Sequence, residues 1–471
     1  MFISLDRTIK KPLWLQIADA LLEAIRKGQL KSNETIWPSR VYAKELGVSR
    51  STVQLAFEEL VAQGYLVTFG KGGTRVAELT YPTEKIPQLD PPKIDNSQNS
   101  QPIDWLRIPK SHHVDIHFMH HEPYIDHIFM NAWASSSAAA MKRMKDSDWG
   151  YTDARGAVEA RQQIRQYLAL EKGLHLSLAQ VMLLPGTQRI IDLIAQGLLN
   201  PGDRVAVEDP GYPAAQIGFL FRGMIVDCIP VDAHGLRVDL LHPKTKLIFV
   251  TPAHQRPTGI VMSAPRRMAL VAFANQHHAW IVEDDYDGEY RYHGSPLPTL
   301  YSSAMHTTLY IKSFSKLLAP GLRLSALVGP AQALDRIANV MRITERQASI
   351  LEQQTLAEFF ASGLFAKHLS RLRRIYRKRH DVLLSSLHEY KILQRLQLVG
   401  AETGLNVLLE GETRFQEAKI IEAALQRRIG LHGLQPYCFQ VQRKGLLIGF
   451  SKTDEASIQT GIRQLAAILE L

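Results

Sequence analysis

The sequence has 471 residues, of which 45% are hydrophobic and 21% charged, and its formal net charge is +9. A chain of this length can bury a core without staples. Its two cysteines are too few for a disulfide framework or a cysteine-based zinc site, so we expect a protein of the reducing cytoplasm. Residues 1–7 lack the apolar stretch of a signal peptide, and the apolar run 247–250 is too short to span a bilayer. Secreted and membrane classes are therefore not expected.

Changes in sequence texture divide the chain into three parts. Residues 1–77 are typical of a small helical unit closed by a Gly-rich hairpin. Residues 78–113 contain six prolines among polar residues and predict a linker. From 114 to 471, strand-like runs alternate with amphipathic helices, which predicts an α/β domain with a large subdomain at about 180–330 and a small subdomain from the flanking segments. The expected strands are 204–207, 247–250, 280–283, 308–311 and 324–328.

The first part has the spacing of a helix-turn-helix. Apolar residues between Leu13 and Ile25 recur on one helical face. A second helix is expected over 40–46 with Gly47 as its stop, and Ser49 is the expected N-cap of a third helix. The inward residues of that third helix are Val53, Phe57, Leu60 and Val61. The segment 65–76 predicts a hairpin wing, and residues 1–77 hold eleven Lys and Arg against seven Asp and Glu, which favours double-stranded DNA as the partner.

The same part resembles the GntR-type winged helix-turn-helix through residues 12–18 (PLWLQIA), 45–53 (ELGVSRSTV) and 60–66 (LVAQGYL). One departure is 36–40 (IWPSR), where the family usually has Leu-Pro-Ser-Ser-Arg. A helical protein-interaction domain with surface arginines is the alternative. The DNA contacts that the resemblance implies are Ser39, Arg40, Ser49, Arg50, Thr52, Lys71 and Gly72.

Four separated motifs in the α/β part carry candidate functional side chains. Gly186 opens an apolar helix whose free N–H groups suit a phosphate. Tyr212 follows a strand, where an aromatic ring can stack on a flat ligand. The strand at 280–283 runs into the carboxylates of residues 283–287, which suit an active-site acid, loop capping or a divalent metal. Lys316 follows another strand in apolar surroundings, where a lysine can form a Schiff base.

Together the four motifs resemble the fold-type I pyridoxal-phosphate enzymes of the class I aminotransferase group. The resemblance implies pyridoxal 5'-phosphate as the cofactor, Lys316 as the Schiff-base lysine and Asp284 as the pyridinium partner. It also implies that Tyr212 stacks on the ring, that Tyr286 bonds the ring hydroxyl, and that Tyr151 reaches a phosphate across a dimer interface. The phosphate contacts that it implies are Gly186, Thr187, Gln188, Ser313 and Arg323.

Two departures from that group bear on activity. Aminotransferases commonly carry Asn-Pro-Thr-Gly, whose Asn bonds the ring hydroxyl, whereas this chain has Arg256 in that place. They also carry a late-strand arginine that grips the substrate carboxylate, but residues 445–450 are uncharged. Loss of that grip would weaken substrate positioning, although Arg256 could substitute.

Two further groups of residues carry side chains that occur in metal sites or in DNA-binding surfaces. His112-His113 and His120-His121 lack metal-ligand spacing, and no metal site is expected. A cluster of cations on one long helix suits either an extended DNA path or a solvated helix face. Its members are Arg371, Arg373, Arg374, Arg377, Lys378 and Arg379.

A winged helix, a linker and an aminotransferase-like domain in one chain resemble the MocR subfamily of GntR regulators. The resemblance implies a pyridoxal-phosphate-dependent transcription regulator of the cytoplasm and nucleoid, which binds DNA as a homodimer, head to tail. The Lys316 aldimine would report the cofactor itself or an amino-group effector and so change DNA affinity. The alternatives are an active aminotransferase, converting an amino acid to a 2-oxo acid, with an appended DNA-binding domain, or a repressor that has lost the cofactor.

Overall fold

The structure is a computed structural model that describes residues 3–70, 73–78, 114–119, 122–294 and 298–470. It forms two compact units, Met1–Pro102 and Ile103–Leu471. The linker expected at 78–113, apart from Glu78, lies outside the described residues. So do the wing-tip residues Lys71 and Gly72 and the two histidine pairs, and the domain limits stay predictions.

The N-terminal unit contains three helices and a two-stranded hairpin: α1 (Leu13–Arg26), α2 (Ser39–Leu46), α3 (Arg50–Ala62), β1 (Leu66–Thr68) and β2 (Thr74–Val76). The two strands pair antiparallel, as expected for a wing. Gly47 ends α2 in the left-handed conformation, with φ 61°. Ser49 caps α3, and its side chain accepts the Thr52 N–H.

The core of this unit lies where the helical faces meet. Ile17 and Leu21 of α1 pack with Val53 and Leu60 of α3. Val61 was expected to face inward, but it is exposed. At 100° per residue Val61 points well off the stripe that Val53 and Leu60 form, so the stripe leaves it at the surface.

An eight-stranded sheet over residues 181–328 forms the centre of the second unit. Its order is β4-β11-β10-β9-β8-β5-β6-β7. The five strands β10, β9, β8, β5 and β6 run parallel to one another, whereas β11 is antiparallel to β10 and β4, and β7 is antiparallel to β6. All five strands predicted from sequence lie in this sheet, and several are buried along their whole length because helices cover both faces. The bounds are β4 (Val181–Leu184), β5 (Arg204–Asp209), β6 (Ile225–Asp232), β7 (Gly235–Leu236), β8 (Thr245–Val250), β9 (Trp280–Asp285), β10 (Thr308–Ser313) and β11 (Ser325–Val328).

A smaller antiparallel sheet of order β12-β13-β16-β15 is formed by the C-terminal part of the chain. Its strands are β12 (Gln397–Val399), β13 (Asn406–Gly411), β15 (His432–Gly433) and β16 (Lys444–Gly449). A parallel pair, β3 (Ile116–His117) with β14 (Ile429–Gly430), joins the start of the unit to this C-terminal part. The small subdomain therefore draws on segments from both sides of the large sheet.

Helices cover the sheets. The long helix α12 (Leu364–Glu389) passes from the large sheet to the small one and buries one face along its length. None of the helices within the described residues is long and apolar enough to cross a membrane. The remaining helices are α4 (His127–Arg143), α5 (Val158–Lys172), α6 (Thr187–Leu198), α7 (Pro213–Phe221), α8 (Ala264–His277), α9 (Leu300–Ser303), α10 (Ala331–Thr344), α11 (Ile350–Ala361), α13 (Glu417–Gln426) and α14 (Glu455–Leu469).

Candidate cofactor cleft and DNA-binding surface

The sheet brings the predicted cofactor residues to one edge. β9 and β10 are adjacent and parallel, so Asp284 near the end of β9 and Lys316 beyond the end of β10 lie at the same edge. Tyr212 follows β5, which runs in the same direction. The edge formed by the carboxyl ends of parallel strands is where α/β proteins bind ligands.

Asp284 is 4% exposed, and burial raises the pKa of its carboxyl to about 7, while the charge of Arg256 opposes that rise. Its Oδ1 has no hydrogen-bond partner among the described residues. A buried oxygen without a partner is costly, and a protonated ring nitrogen would supply the missing donor. This carboxylate therefore fits the cofactor that the sequence implies.

Lys316 is the candidate nucleophile. Burial first, and then the nearby charge of Arg256, lower the pKa of its amine to about 7, against the opposing effects of Asp287 and Glu122. Its backbone carbonyl accepts the Tyr290 hydroxyl at 3.1 Å, which holds the loop after β10. Near neutral pH a large share of these amines is unprotonated, which is the form that attacks an aldehyde.

A cradle for an anion lies at the start of α6. Gly186 precedes the helix with φ 91°, and a Cβ built there would lie 2.8 Å from the Arg323 guanidinium. That guanidinium also donates to the Pro185 carbonyl at 3.2 Å. Thr187 and Gln188 form the first turn of α6, where backbone N–H groups are free for an anion.

Ser313 closes the strand β10 beside the lysine loop. Its hydroxyl accepts the Ser315 N–H at 3.3 Å and its side chain is buried. The predicted phosphate contacts thus come from two sources, the start of α6 and the segment around β10 and Arg323. A cation, free helical N–H groups and a hydroxyl together suit a phosphate.

Arg256 supplies a cation inside the cleft. Its guanidinium carbon lies 4.4 Å from the ring centroid of Tyr212 and 5.8 Å from that of Tyr286. The His432 pKa is lowered to about 4, first by burial and then by the charge of Arg256. Burial also raises the pKa of Tyr437 to about 12, although a hydrogen bond with Arg256 opposes it. Aromatic rings therefore surround Arg256 in the cleft.

The sequence reasoning missed a buried pair beside Tyr286. Nδ1 of His254 lies 3.0 and 2.9 Å from the two carboxylate oxygens of Asp287, and 2.9 Å from the Tyr286 hydroxyl. His254 lies in the segment 254–259, two residues before Arg256. That closeness to a candidate cleft residue is the sequence feature that points to His254.

A second missed group lies within the large sheet. Lys312 of β10 is fully buried, and its Nζ lies 2.7 Å from Glu289 Oε2 and 3.1 Å from Asp285 Oδ1. Lys172 lies 2.7 Å from the other oxygen of Asp285. Burial alone would raise the pKa of Asp285, but these two ammonium groups lower it well below its usual range. This network neutralises buried charge and ties α5 to the sheet.

Three acids at the end of β9 and just after it have separate partners. Glu283 accepts the Tyr301 N–H at 3.0 Å, Asp285 pairs with lysines, and Asp287 pairs with His254. Within the described parts of the chain, no group of three His, Cys, Asp or Glu side chains is arranged to hold a metal ion. Asp284 differs from these three acids, because its Oδ1 has no partner among the described residues, and it stays the candidate active-site acid of this run.

Tyr151 lies on the surface of the unit. Its side chain is 82% exposed, and the Arg346 guanidinium lies 5.1 Å from its ring centroid. The predicted role across a dimer interface needs a second subunit, so it stays a prediction. The late strand β16 carries no arginine at its buried positions 445–449.

Most of the cations on α12 bind neighbouring elements, while Arg374, Arg377 and Lys378 are exposed, so the solvated helix face and the extended DNA path both stay predictions. Arg371 pairs with Asp126, Arg373 pairs with Glu171, and Arg377 donates to the Tyr292 carbonyl. Arg379 donates to the Ser451 carbonyl, and Lys378 lies 3.6 Å from Glu455. These contacts attach the helix to its surroundings, and Arg374 alone of the six is exposed without a described contact.

The predicted DNA-binding residues of the N-terminal unit lie close together. Ser49, Arg50 and Thr52 form the start of α3, and the Arg50 Nε lies 3.3 Å from the hydroxyl of Ser39 at the start of α2. Arg50 and Arg40 are exposed. Two helix starts that offer N–H groups and guanidinium groups side by side suit a phosphate backbone and groove edges.

Comparisons with known proteins agree with both parts. Residues 13–76 match the family of bacterial regulatory proteins, gntR family, and residues 130–465 match aminotransferase class I and II. The chain is 30% identical over 467 residues to the uncharacterized HTH-type transcriptional regulator YhdI of Bacillus subtilis, covering 98% of this chain and 96% of that one. It is 29% identical over 470 residues to the probable rhizopine catabolism regulatory protein MocR of Rhizobium meliloti, covering 98% and 94%.

Among solved structures, the kynurenine aminotransferase of Pyrococcus horikoshii is similar with a TM-score of 0.70 and 25% identity, covering 78% of this chain and 93% of that one. The matched domain and this neighbour imply pyridoxal phosphate as the cofactor. The chain belongs to the aminotransferase class I and II family and, through its fused gntR-family helix-turn-helix domain, to the MocR-type transcriptional regulators.

Proposed function

We propose that this regulator binds promoter DNA as a head-to-tail homodimer in the cytoplasm, on the nucleoid, and that the state of its cofactor cleft changes DNA affinity. The observation that carries the proposal is that two residues lie at the same sheet edge. One is Lys316, whose amine is partly unprotonated, and the other is Asp284, whose Oδ1 has no partner among the described residues. Because the same chain carries a winged helix, a change in the cleft would be able to alter DNA binding.

The residues that would hold the cofactor divide by the group that they meet. Lys316 Nζ would bind the aldehyde carbon, and Asp284 would keep the ring nitrogen protonated. Tyr212 would cover a ring face, and Tyr286 would bond the ring oxygen. Its phosphate would be bound by Gly186, Thr187, Gln188, Ser313 and Arg323, with Tyr151 reaching over from the second subunit.

When bound, pyridoxal phosphate supplies an aldehyde that condenses with primary amines. The chain contributes the rest. Burial and Arg256 keep part of the Lys316 amine unprotonated, so it can attack and later leave. An incoming amine would compete with Lys316 for the same carbon, and the freed Lys316 side chain would then have to move. Such a local change is the proposed input to the DNA-binding unit.

The proposed effector is the cofactor itself or a compound with a primary amino group. We propose that a carboxylate on the effector would lie against Arg256, which stacks on Tyr212 in the cleft, since β16 carries no arginine at positions 445–449. DNA would be held by Ser39, Arg40, Ser49, Arg50 and Thr52, with Lys71 and Gly72 at the wing tip. Paired units in a dimer suit paired half-sites.

The test uses the full chain and duplex DNA from the region upstream of its own gene. DNA affinity is measured by fluorescence anisotropy without cofactor, with pyridoxal phosphate, and with pyridoxal phosphate plus each of a panel of amino acids and amines. We expect at least one addition to change the affinity, by about five- to 150-fold. Unchanged affinity under all conditions would contradict the proposal.

An active aminotransferase with an appended DNA-binding domain is the second candidate function. It is favoured by the full set of cofactor residues and by the similarity to a solved aminotransferase. It is disfavoured by the absence of a late-strand arginine, because a loosely held amino acid reacts slowly. Steady formation of a 2-oxo acid from an amino acid, with turnover beyond one equivalent, would support it.

A further inference from the structure

We propose that His254 and Asp287 act as a positioning pair that sets the direction of the Tyr286 hydroxyl proton, so that this proton faces the cofactor cleft. The inference rests on the proposed function, because it deepens the role of Tyr286 toward the ring oxygen of pyridoxal phosphate. The observation behind it is the arrangement of three oxygen atoms around one ring nitrogen of His254, two from Asp287 and one from Tyr286.

Nδ1 of His254 is the centre of the arrangement. It lies 2.9 Å from Oδ2 of Asp287 and 2.9 Å from the hydroxyl oxygen of Tyr286. An ionised carboxylate only accepts hydrogen bonds, so the proton between His254 and Asp287 belongs to Nδ1. A protonated ring nitrogen has no lone pair left, and Nδ1 therefore donates to the Tyr286 oxygen as well.

The consequence concerns the Tyr286 proton. The hydroxyl oxygen accepts from His254, so its own proton cannot point toward that ring and must point to another acceptor. No acceptor for it is found in the described residues. The Arg256 guanidinium, which lies in the cleft, is 5.8 Å from the Tyr286 ring centroid, so this tyrosine borders the cleft. The ring oxygen of the cofactor is the acceptor that we propose for its proton.

The His254 ring is held in place by its surroundings. His254 and Asp287 are 2% and 1% exposed. A Cβ on Gly404 would lie 2.0 Å from His254 Cε1, so the backbone there packs directly on the ring, and Gly404 adopts φ 79°. Since Nε2 has no hydrogen-bond partner within the described residues, Nδ1 is the nitrogen that fixes the ring by hydrogen bonding. The pair therefore has one orientation.

The test loads full-length protein with pyridoxal phosphate and measures the cofactor dissociation constant and the position of the near-visible absorption band. The variants are His254→Leu, Tyr286→Phe and the double variant. We expect each single change to weaken binding about three- to tenfold and to shift the band in the same way. The double variant should match Tyr286→Phe, because the pair acts through that hydroxyl.

Two further variants separate positioning from folding. In His254→Asn the amide nitrogen takes the place of Nδ1, so we expect the wild-type band and affinity to return. Tyr301→Phe is the control: Tyr301 is also buried, and its hydroxyl accepts from the Gln180 side chain at 3.1 Å. Gln180 precedes β4, which runs parallel to β10, so this contact lies at the sheet edge opposite the cleft. The control variant should lower the urea midpoint of unfolding without moving the band.

The outcomes separate this inference from the proposed function. A His254→Leu protein with a normal band, or a double variant weaker than Tyr286→Phe by the full single-variant factor, would overturn the positioning role. If His254→Leu does not fold, failure of His254→Asn to reproduce the wild-type band would overturn it instead. Wild-type protein that gains no band would overturn the proposed function itself.

Discussion

The guanidinium carbon of Arg256 lies 4.4 Å from the ring centroid of Tyr212, in the cleft whose proposed nucleophile is Lys316. Aminotransferases commonly carry an uncharged asparagine at this position, so this chain has exchanged a neutral amide for a cation. The cation acts on the neighbouring groups through space, since it lowers the pKa values of both Lys316 and His432.

Replacing Arg256 by Gln should change the pH dependence of cofactor capture. Burial is the main cause of the lowered Lys316 pKa, and Arg256 adds to it. Loss of the cation should raise that pKa, by about one unit. Because only the unprotonated amine attacks, the pH of half-maximal capture rate should rise from near 7.

The control for that experiment is Arg443→Gln. Arg443 pairs with Glu410 at 2.6 Å, and neither residue is among the proposed cofactor residues. Stopped-flow absorbance from pH 6 to pH 9 gives the two profiles. An Arg256→Gln profile that coincides with that of the control, or moves to lower pH, would show that the cation does not act on Lys316.

Asp284→Asn should stabilise the protein without cofactor while weakening cofactor binding. The folded-state pKa of Asp284 is raised from 3.8 to about 7. A raised carboxyl pKa means that the penalty on the folded state is absent below about pH 4, grows as the pH rises from about 4 to about 7, and is fully present above 7. The variant should gain up to about 4 kcal/mol at pH 8 and nothing near pH 4.

Urea unfolding at both pH values measures this difference, with the exposed Asp146→Asn as the matched control. The same samples give the dissociation constant of pyridoxal phosphate. Equal stability of Asp284→Asn and wild type at pH 8 would mean that the carboxylate has a partner after all.

Lys312→Met should destabilise the second unit by about 3–5 kcal/mol. The change leaves Glu289, which is 2.7 Å from Nζ, and Asp285 with too little positive charge in a buried site. The double variant Lys312→Met, Glu289→Gln should recover part of the loss, since it removes the carboxylate left without its lysine, while Asp285 keeps its pair with Lys172. Urea denaturation followed by circular dichroism measures both, and a single variant as stable as wild type would refute the assignment.

Arg50→Ala should weaken DNA binding by about 1–3 kcal/mol and reduce its salt dependence. Arg50 is exposed at the start of α3, beside Ser39. Lys27→Ala removes the same charge from a residue that pairs with Glu23 at 2.6 Å on the end of α1, and serves as control. Anisotropy titrations at several salt concentrations should separate the two, and equal losses would indicate a merely electrostatic effect.

Much of the scaffold could be predicted from local patterns. The five strand segments, the Gly47 stop and the Ser49 cap follow from residue type and period, because each depends on neighbours in sequence. The motifs around Asp284 and Lys316 could be placed because both follow strands, and carboxyl ends of parallel strands meet at one edge.

The missed features depend on pairs distant in sequence. His254 and Asp287 are 33 positions apart. The residues next to Lys312 in its own strand are apolar or carry hydroxyl groups, so nothing local in the sequence indicates its acidic partners. The cations of α12 form a charged run that is visible in the sequence. The carbonyls and carboxylates that bind them come from distant parts of the second unit and could not be predicted. The inward orientation predicted for Val61 was wrong for a simpler reason, since this residue points off the apolar stripe of its own helix.

The most direct test of the account is the change Lys316→Ala in the full-length regulator, measured by absorbance and by DNA affinity in parallel. We predict that wild type loaded with pyridoxal phosphate gains a near-visible band that borohydride removes, and that its DNA affinity responds to the loading. The variant should keep the fold and the DNA affinity of the unloaded protein, yet show neither band nor response. A variant that still responds to the cofactor would contradict the claim that this lysine is the sensor.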